Sequence, residues 1–93
     1  MNIPKTVKIA GYDYTIVEKP YLLRDDNQYG YQNGNDLEIA LDSSCHQQMR
    51  ESAFLHEILE AINAHNGLKM EHNVIETLET QLYQVLRDNK LHF

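Results

Sequence analysis

Glu51-Ser52-Ala53-Phe54-Leu55-His56-Glu57-Ile58-Leu59-Glu60-Ala61-Ile62 decides how this chain folds. It lies inside a pattern, Met49 to Asn66, whose apolar residues recur at three- and four-residue intervals. That is the period of an amphipathic helix. At about 100° per residue, Phe54, Ile58, Ala61, Ile62 and His65 share one side, extended by Leu55 and Leu59. This side is expected to face the core. His56 and Glu60 fall on the opposite side with Met49, Ser52, Ala53 and Asn63, and Glu57 lies at its edge.

Around this helix the chain falls into two halves. Upstream, Thr6 to Ala10 and Tyr14 to Glu18 alternate about a turn at Gly11-Tyr12-Asp13, the mark of a hairpin. Arg24 to Gln28 reads as a polar loop and Tyr29 to Gln32 as a third strand. Asn33-Gly34-Asn35 is a turn, and Asp36 to Leu41 alternates as a fourth strand with one buried face. Asp42-Ser43-Ser44 supplies caps, with Ser44 and Gln47 spaced as a capping box. The first long helix then runs from about 45 to 66 and stops at Gly67. A second, from about 71 to 88, has Ile75, Leu78, Leu82, Val85 and Leu86 as its apolar stripe, expected to pack, and His72, Glu76 and Tyr83 on a different face with Glu79 and Thr80 around them. Strands about 6–41 followed by two helices make an α+β fold. A small N-terminal antiparallel sheet packs on the first long helix, and the second closes over it.

The chain of 93 residues is expected to form one domain, 1–93. Its 14 acidic and 8 basic residues leave a net charge of -6, which argues against nucleic acid and anionic membranes as partners. A single cysteine, Cys45, makes no internal disulfide, and the N-terminus lacks an apolar leader. No apolar run reaches the roughly 20 residues of a membrane span. The expected location is the cytoplasm, of a bacterium or of an infected cell.

His56-Glu57-Ile58-Leu59-Glu60 has the spacing of HExxH with glutamate in the last place. Residues four apart on a helix project from one face, so His56 and Glu60 can grip one metal ion. Glu57 occupies the place of the base that takes a proton from water activated at the metal. If the two helices pack, Glu76 or His72 approaches this pair as a third ligand. The residues alone do not choose among Glu76, its neighbour Glu79 and His72. The plain alternative is that histidine and glutamate four apart on an exposed helix face need no metal. His46, His65 and His92 read as surface or partly buried residues. Cys45, near a helix start, is placed where a thiol pKa can fall.

Three blocks carry a resemblance. They are Tyr29-Gly30-Tyr31 with Asp36 to Asp42, Glu51 to Ile62, and Val74 to Leu78 with Leu82-Tyr83-Gln84-Val85-Leu86-Arg87-Asp88-Asn89. Together they resemble the small phage and prophage HExxH metallopeptidase-like proteins, a minimal gluzincin type distantly similar to the ImmA/IrrE peptidases. The resemblance implies a zincin-like metallopeptidase domain acting on a protein or peptide. It makes His56, Glu60 and Glu76 the metal ligands and Glu57 the catalytic base. It makes Asp36 to Leu41 the edge strand that pairs with an extended substrate. Where the family has histidine, this chain has Glu60. A ligand set of one histidine and two glutamates shifts preference from Zn²⁺ toward Mn²⁺ or Mg²⁺, or toward no metal. The alternative expectation is therefore an inactive binding module that contacts a host or phage protein.

Overall fold

The computed structural model describes residues 2–91, so His92 lies outside the described residues. The elements are β1 (Thr6–Ile9), β2 (Tyr12–Lys19), α1 (Leu22–Asp26), β3 (Gly30–Asn33), β4 (Glu38–Asp42), α2 (Gln47–Asn66) and α3 (His72–Asp88). The α+β class is as the sequence predicts. The polar loop expected at Arg24 to Gln28 is largely taken up by α1.

The first hairpin turns earlier than expected. Ile9 pairs with Tyr12, so the loop is Ala10-Gly11, and both residues have positive φ, 54° and 85°. Such two-residue loops match the right-handed twist of the flanking strands.

The sheet is mixed, not antiparallel as the alternation suggested. Its order is β1-β2-β4-β3. β1 pairs antiparallel with β2, β3 antiparallel with β4, and β4 parallel with β2 in the register Ile16↔Ile39. After β2 the chain passes through α1 and runs up β3. The 34–37 turn then returns it between β2 and β3. There Asn33 Oδ1 accepts from the backbone N–H groups of Asn35 and Asp36.

β4 is consequently an interior strand, and the expectation of a free edge at Asp36 to Leu41 is corrected. The free edges of the sheet are on β1 and β3. Ile39, Ala40, Leu41 and Asp42 are all buried, so both faces of β4 are covered, not one. Asp42 accepts hydrogen bonds from Tyr21 and Leu23 backbone N–H groups and from Ser44, which ties α1 to the end of the sheet. Those bonds hold its carboxyl far below the usual carboxylate range.

Gly30 is needed where β3 begins. A Cβ there would stand 2.6 Å from the Ala40 carbonyl oxygen, a backbone atom that cannot move aside. Gly30→Ala is expected to cost about 2 kcal/mol through overpacking, read as a lower urea midpoint. An unchanged midpoint would show that β3 is not held this tightly.

The core lies between the sheet and α2. Phe54, Ala61 and Ala53 join Ile9, Tyr14, Ile39 and Leu41, with Ile58 and Ile62 packed against them. Leu55 and Leu59 stay half-buried outside this cluster. His65 sits at the exposed end of the helix, where its Nε2 meets the Tyr14 hydroxyl at 2.6 Å and its ring stacks on Tyr12. The cap of α2 is His46, whose Nδ1 accepts from the Gln48 N–H, because Ser44 is committed to Asp42. Gly67 ends the helix in the left-handed conformation, as predicted.

In α3 the expected inward stripe is rotated. Ile75 and Tyr83 are buried, while Leu78, Leu82 and Val85 are exposed. Polar bonds set this rotation. The Tyr83 hydroxyl donates to Glu51 at 2.6 Å, and Glu79 turns toward α2. The loop between the helices is fastened by Asn63, which exchanges two bonds with the Met70 backbone.

Candidate metal centre

A cleft of about 530 Å³ opens between α2, α3 and the start of β3. α2 contributes Ser52, His56 and Glu57, α3 contributes His72, Glu76, Glu79 and Tyr83, and Tyr29 and Gly30 form the third wall. One helical turn separates His56 from Glu60, which keeps both on the face of α2 that meets α3.

His56, Glu60 and His72 form a group that can hold a metal ion. One ligand atom from each lies within 4.8 Å of the others. The two imidazoles meet edge to face with ring centroids 5.4 Å apart. His56 and Glu60 are half-buried and His72 is exposed; Glu60 stands beside the cleft, outside its lining. Among the three α3 candidates, then, the histidine joins the α2 pair. The donor set is two imidazoles and one carboxylate, which matches the chemistry of catalytic zinc sites better than one histidine with two glutamates.

Glu76 and Glu79 take other places. Glu76 Oε1 lies 2.9 Å from His72 Nε2, one turn along α3, and both side chains are well exposed. Glu79 is half-buried beneath the site. As a carboxylate it accepts the Nδ1–H of His56 at 2.8 Å and also the Ser52 hydroxyl. This fixes the tautomer and ring plane of His56 and leaves Nε2 for a ligand. Sequence reasoning did not find Ser52 or the Glu51–Tyr83 pair. Only the seven-residue spacing of His72 and Glu79, and the four residues from Glu79 to Tyr83, put these side chains on one face of α3.

The electrostatics follow from this packing. The bond to Glu79 raises the His56 pKa against the opposing effect of burial, and Glu57 and Glu60 add to the rise. Burial pushes Glu79 up, but the bonds from His56 and Ser52 outweigh it and leave the carboxyl below its ordinary value. Glu57 has no such donors. Burial raises it to about 7; His56 opposes the rise, and Glu60 and Glu79 reinforce it. A carboxyl titrating there can both take and give a proton near neutral pH. Cys45 does not have the lowered pKa its position suggested, because burial and Asp42 raise it.

Comparisons with known protein families, with curated proteins and with solved structures found no match. Among the described residues, no helix is long and apolar enough to cross a membrane.

Proposed function

We propose that this chain is a metal-dependent hydrolase of zincin type, acting on a protein or peptide. The observation that carries the reading is the convergence of His56, Glu60 and His72 beside the buried carboxyl of Glu57. A zinc ion bound there would supply a Lewis acid and acidify water at neutral pH. His56 would offer Nε2, its ring steadied by Glu79. Glu57, titrating near 7, would take a proton from water and return it to the leaving amine.

The substrate strand takes a different place from that expected. β4 is interior, so an extended peptide would add along the free edge of β3, whose first residue, Gly30, lines the cleft with Tyr29. Tyr83 and Ala53, which line the cleft and are buried, would limit water around the reacting carbonyl.

The rival reading is a module of the same shape that binds a protein without cutting it. The exposure of His72 favours it, because a catalytic ligand is usually better shielded from water. Elemental analysis after dialysis against Zn²⁺ and Mn²⁺ separates the two. The hydrolase reading expects one bound ion, with Glu57→Gln retaining the ion and losing cleavage of a peptide library. Absence of stoichiometric metal removes the hydrolase. Under the binding-module reading, Glu60→His creates zinc binding that the natural chain lacks.

A further inference from the structure

We propose that the cleft selects polypeptides by a basic side chain, lysine or arginine, presented opposite Gly30 of β3. The inference rests on the proposed docking of an extended peptide along β3, and it names the residue such a peptide must carry.

Backbone geometry sets the position. The Asp42 N–H donates to the Tyr29 carbonyl at 2.9 Å. In an antiparallel ladder, bonded pairs alternate with unbonded ones. Tyr31 and Asn33 therefore also turn their N–H and C=O groups toward β4, and those of Gly30 and Gln32 point out from the sheet edge. An incoming strand bonds to Gly30 and Gln32. These two stand opposite Leu41 and Ile39, which pack in the core with α2. A substrate residue paired with Gly30 has its side chain on that same face, where the cleft lies.

The chemistry of the cleft sets the kind of side chain. Glu57, Glu76 and Glu79 line it and Glu60 stands beside it, while no lysine or arginine is among its described lining residues. Arg50, on the same helix as Glu57, is tied to Glu18 and Gln47. Lys19 is tied to Tyr31 and Glu38. A divalent ion at His56, Glu60 and His72 would offset only part of the negative charge. One carboxyl in the lining also lacks a partner. Glu57 is 7% exposed, lines the cleft, and accepts no hydrogen bond from any described residue. A buried polar group in that state calls for a donor, and a cationic side chain supplies one. Glu79, by contrast, is already satisfied by His56 and Ser52. Tyr29, 41% exposed on the third wall, adds an aromatic ring of the kind that attracts ammonium and guanidinium groups. An acidic side chain in the same place would meet like charge.

Fluorescence anisotropy in EDTA tests this with blocked, end-labelled peptides that differ only at a central lysine, glutamine or glutamate. Chelation keeps metal-dependent cleavage out of the measurement. The lysine peptide is expected to bind about 10-fold more tightly than the glutamate peptide at low salt, with glutamine between them. The gap should close as salt rises to about 0.5 M. Glu76→Gln, at an exposed position, should narrow the gap several-fold. Gln32→Pro should weaken all three peptides, since proline removes an N–H that only the incoming strand uses. Circular dichroism checks that each variant keeps its fold. Equal binding of the lysine and glutamate peptides overturns the inference, as does a gap that survives both Glu76→Gln and Glu57→Gln. Unchanged binding in a folded Gln32→Pro chain overturns the position opposite Gly30. The hydrolase stands or falls separately. A lysine preference in a chain that takes up no metal supports the selective cleft and removes only hydrolysis. Metal uptake and cleavage without that preference keep the hydrolase and remove this inference.

Discussion

His72→Ala is expected to weaken Zn²⁺ binding by on the order of 100-fold or more, and Glu76→Ala to change it far less. The expectation rests on geometry. His72 offers an atom within 4.8 Å of those from His56 and Glu60, whereas Glu76 is absent from that group and only pairs with His72 at the exposed surface. Removing a half-buried carboxylate that orients a ligating histidine, as Glu79 does for His56, costs about 10–100-fold. Glu79→Gln belongs in that range, because the amide keeps the shape but gives His56 Nδ1 a weaker, uncharged acceptor. Competition titration with a chromophoric chelator gives all three values on one scale. Full affinity in His72→Ala with loss in Glu76→Ala would return the third position to Glu76 and undo the two-histidine set. Loss in both would mean that the ion draws on the pair together.

The helix bearing the motif was legible because its information is local. The repeat of Phe54, Ile58, Ala61 and Ile62 sets the face, and Gly67 sets the stop. The position of His56 and Glu60 on the face toward α3 follows from the same period. What was not legible depends on contacts distant in sequence. Alternation in Asp36 to Leu41 fits an edge strand and an interior strand equally well. Only the passage of the chain through α1 and β3 places β4 parallel to β2. In α3, leucine and valine at helical spacing read as inward. Yet Tyr83 and Glu79 turn inward instead, because each meets a polar partner on α2, at Glu51 and at His56 with Ser52. A buried polar group left without a partner costs more than an exposed leucine, so these bonds decide the rotation of the helix. His72 moves to the site, and the Leu78–Leu82 stripe to the surface, as two results of that one rotation.

Glu57→Gln is expected to stabilise the metal-free protein at neutral pH while leaving it nearly unchanged in acid. Glu57 is 7% exposed and has its pKa raised from 4.5 to about 7 by burial first, with Glu60 and Glu79 adding to the effect. A carboxyl whose folded pKa exceeds its unfolded one favours the fold while protonated. Its contribution is full below pH 4.5 and is lost as the pH rises through about 7. The loss amounts to roughly 3 kcal/mol once the group is forced to ionise in the cleft. His56, also raised, loses its contribution above its ordinary 6.5 and so acts in the same direction at the upper end of this window. Glu51 and Glu79 are lowered despite burial, by their hydrogen bonds. Their contributions are present above 4.5 and fall away only in more acid solution, outside the window. Urea unfolding in EDTA from pH 4.5 to 8 should therefore give two curves that meet in acid and part by up to about 3 kcal/mol, the glutamine variant above. The same substitution that removes the base would thus make the empty protein sturdier. This is the pattern expected when a carboxyl is kept in an unfavourable place for a chemical task. Parallel curves would mean that Glu57 titrates as an ordinary surface glutamate, and the proton-transfer role proposed for it would go with that result.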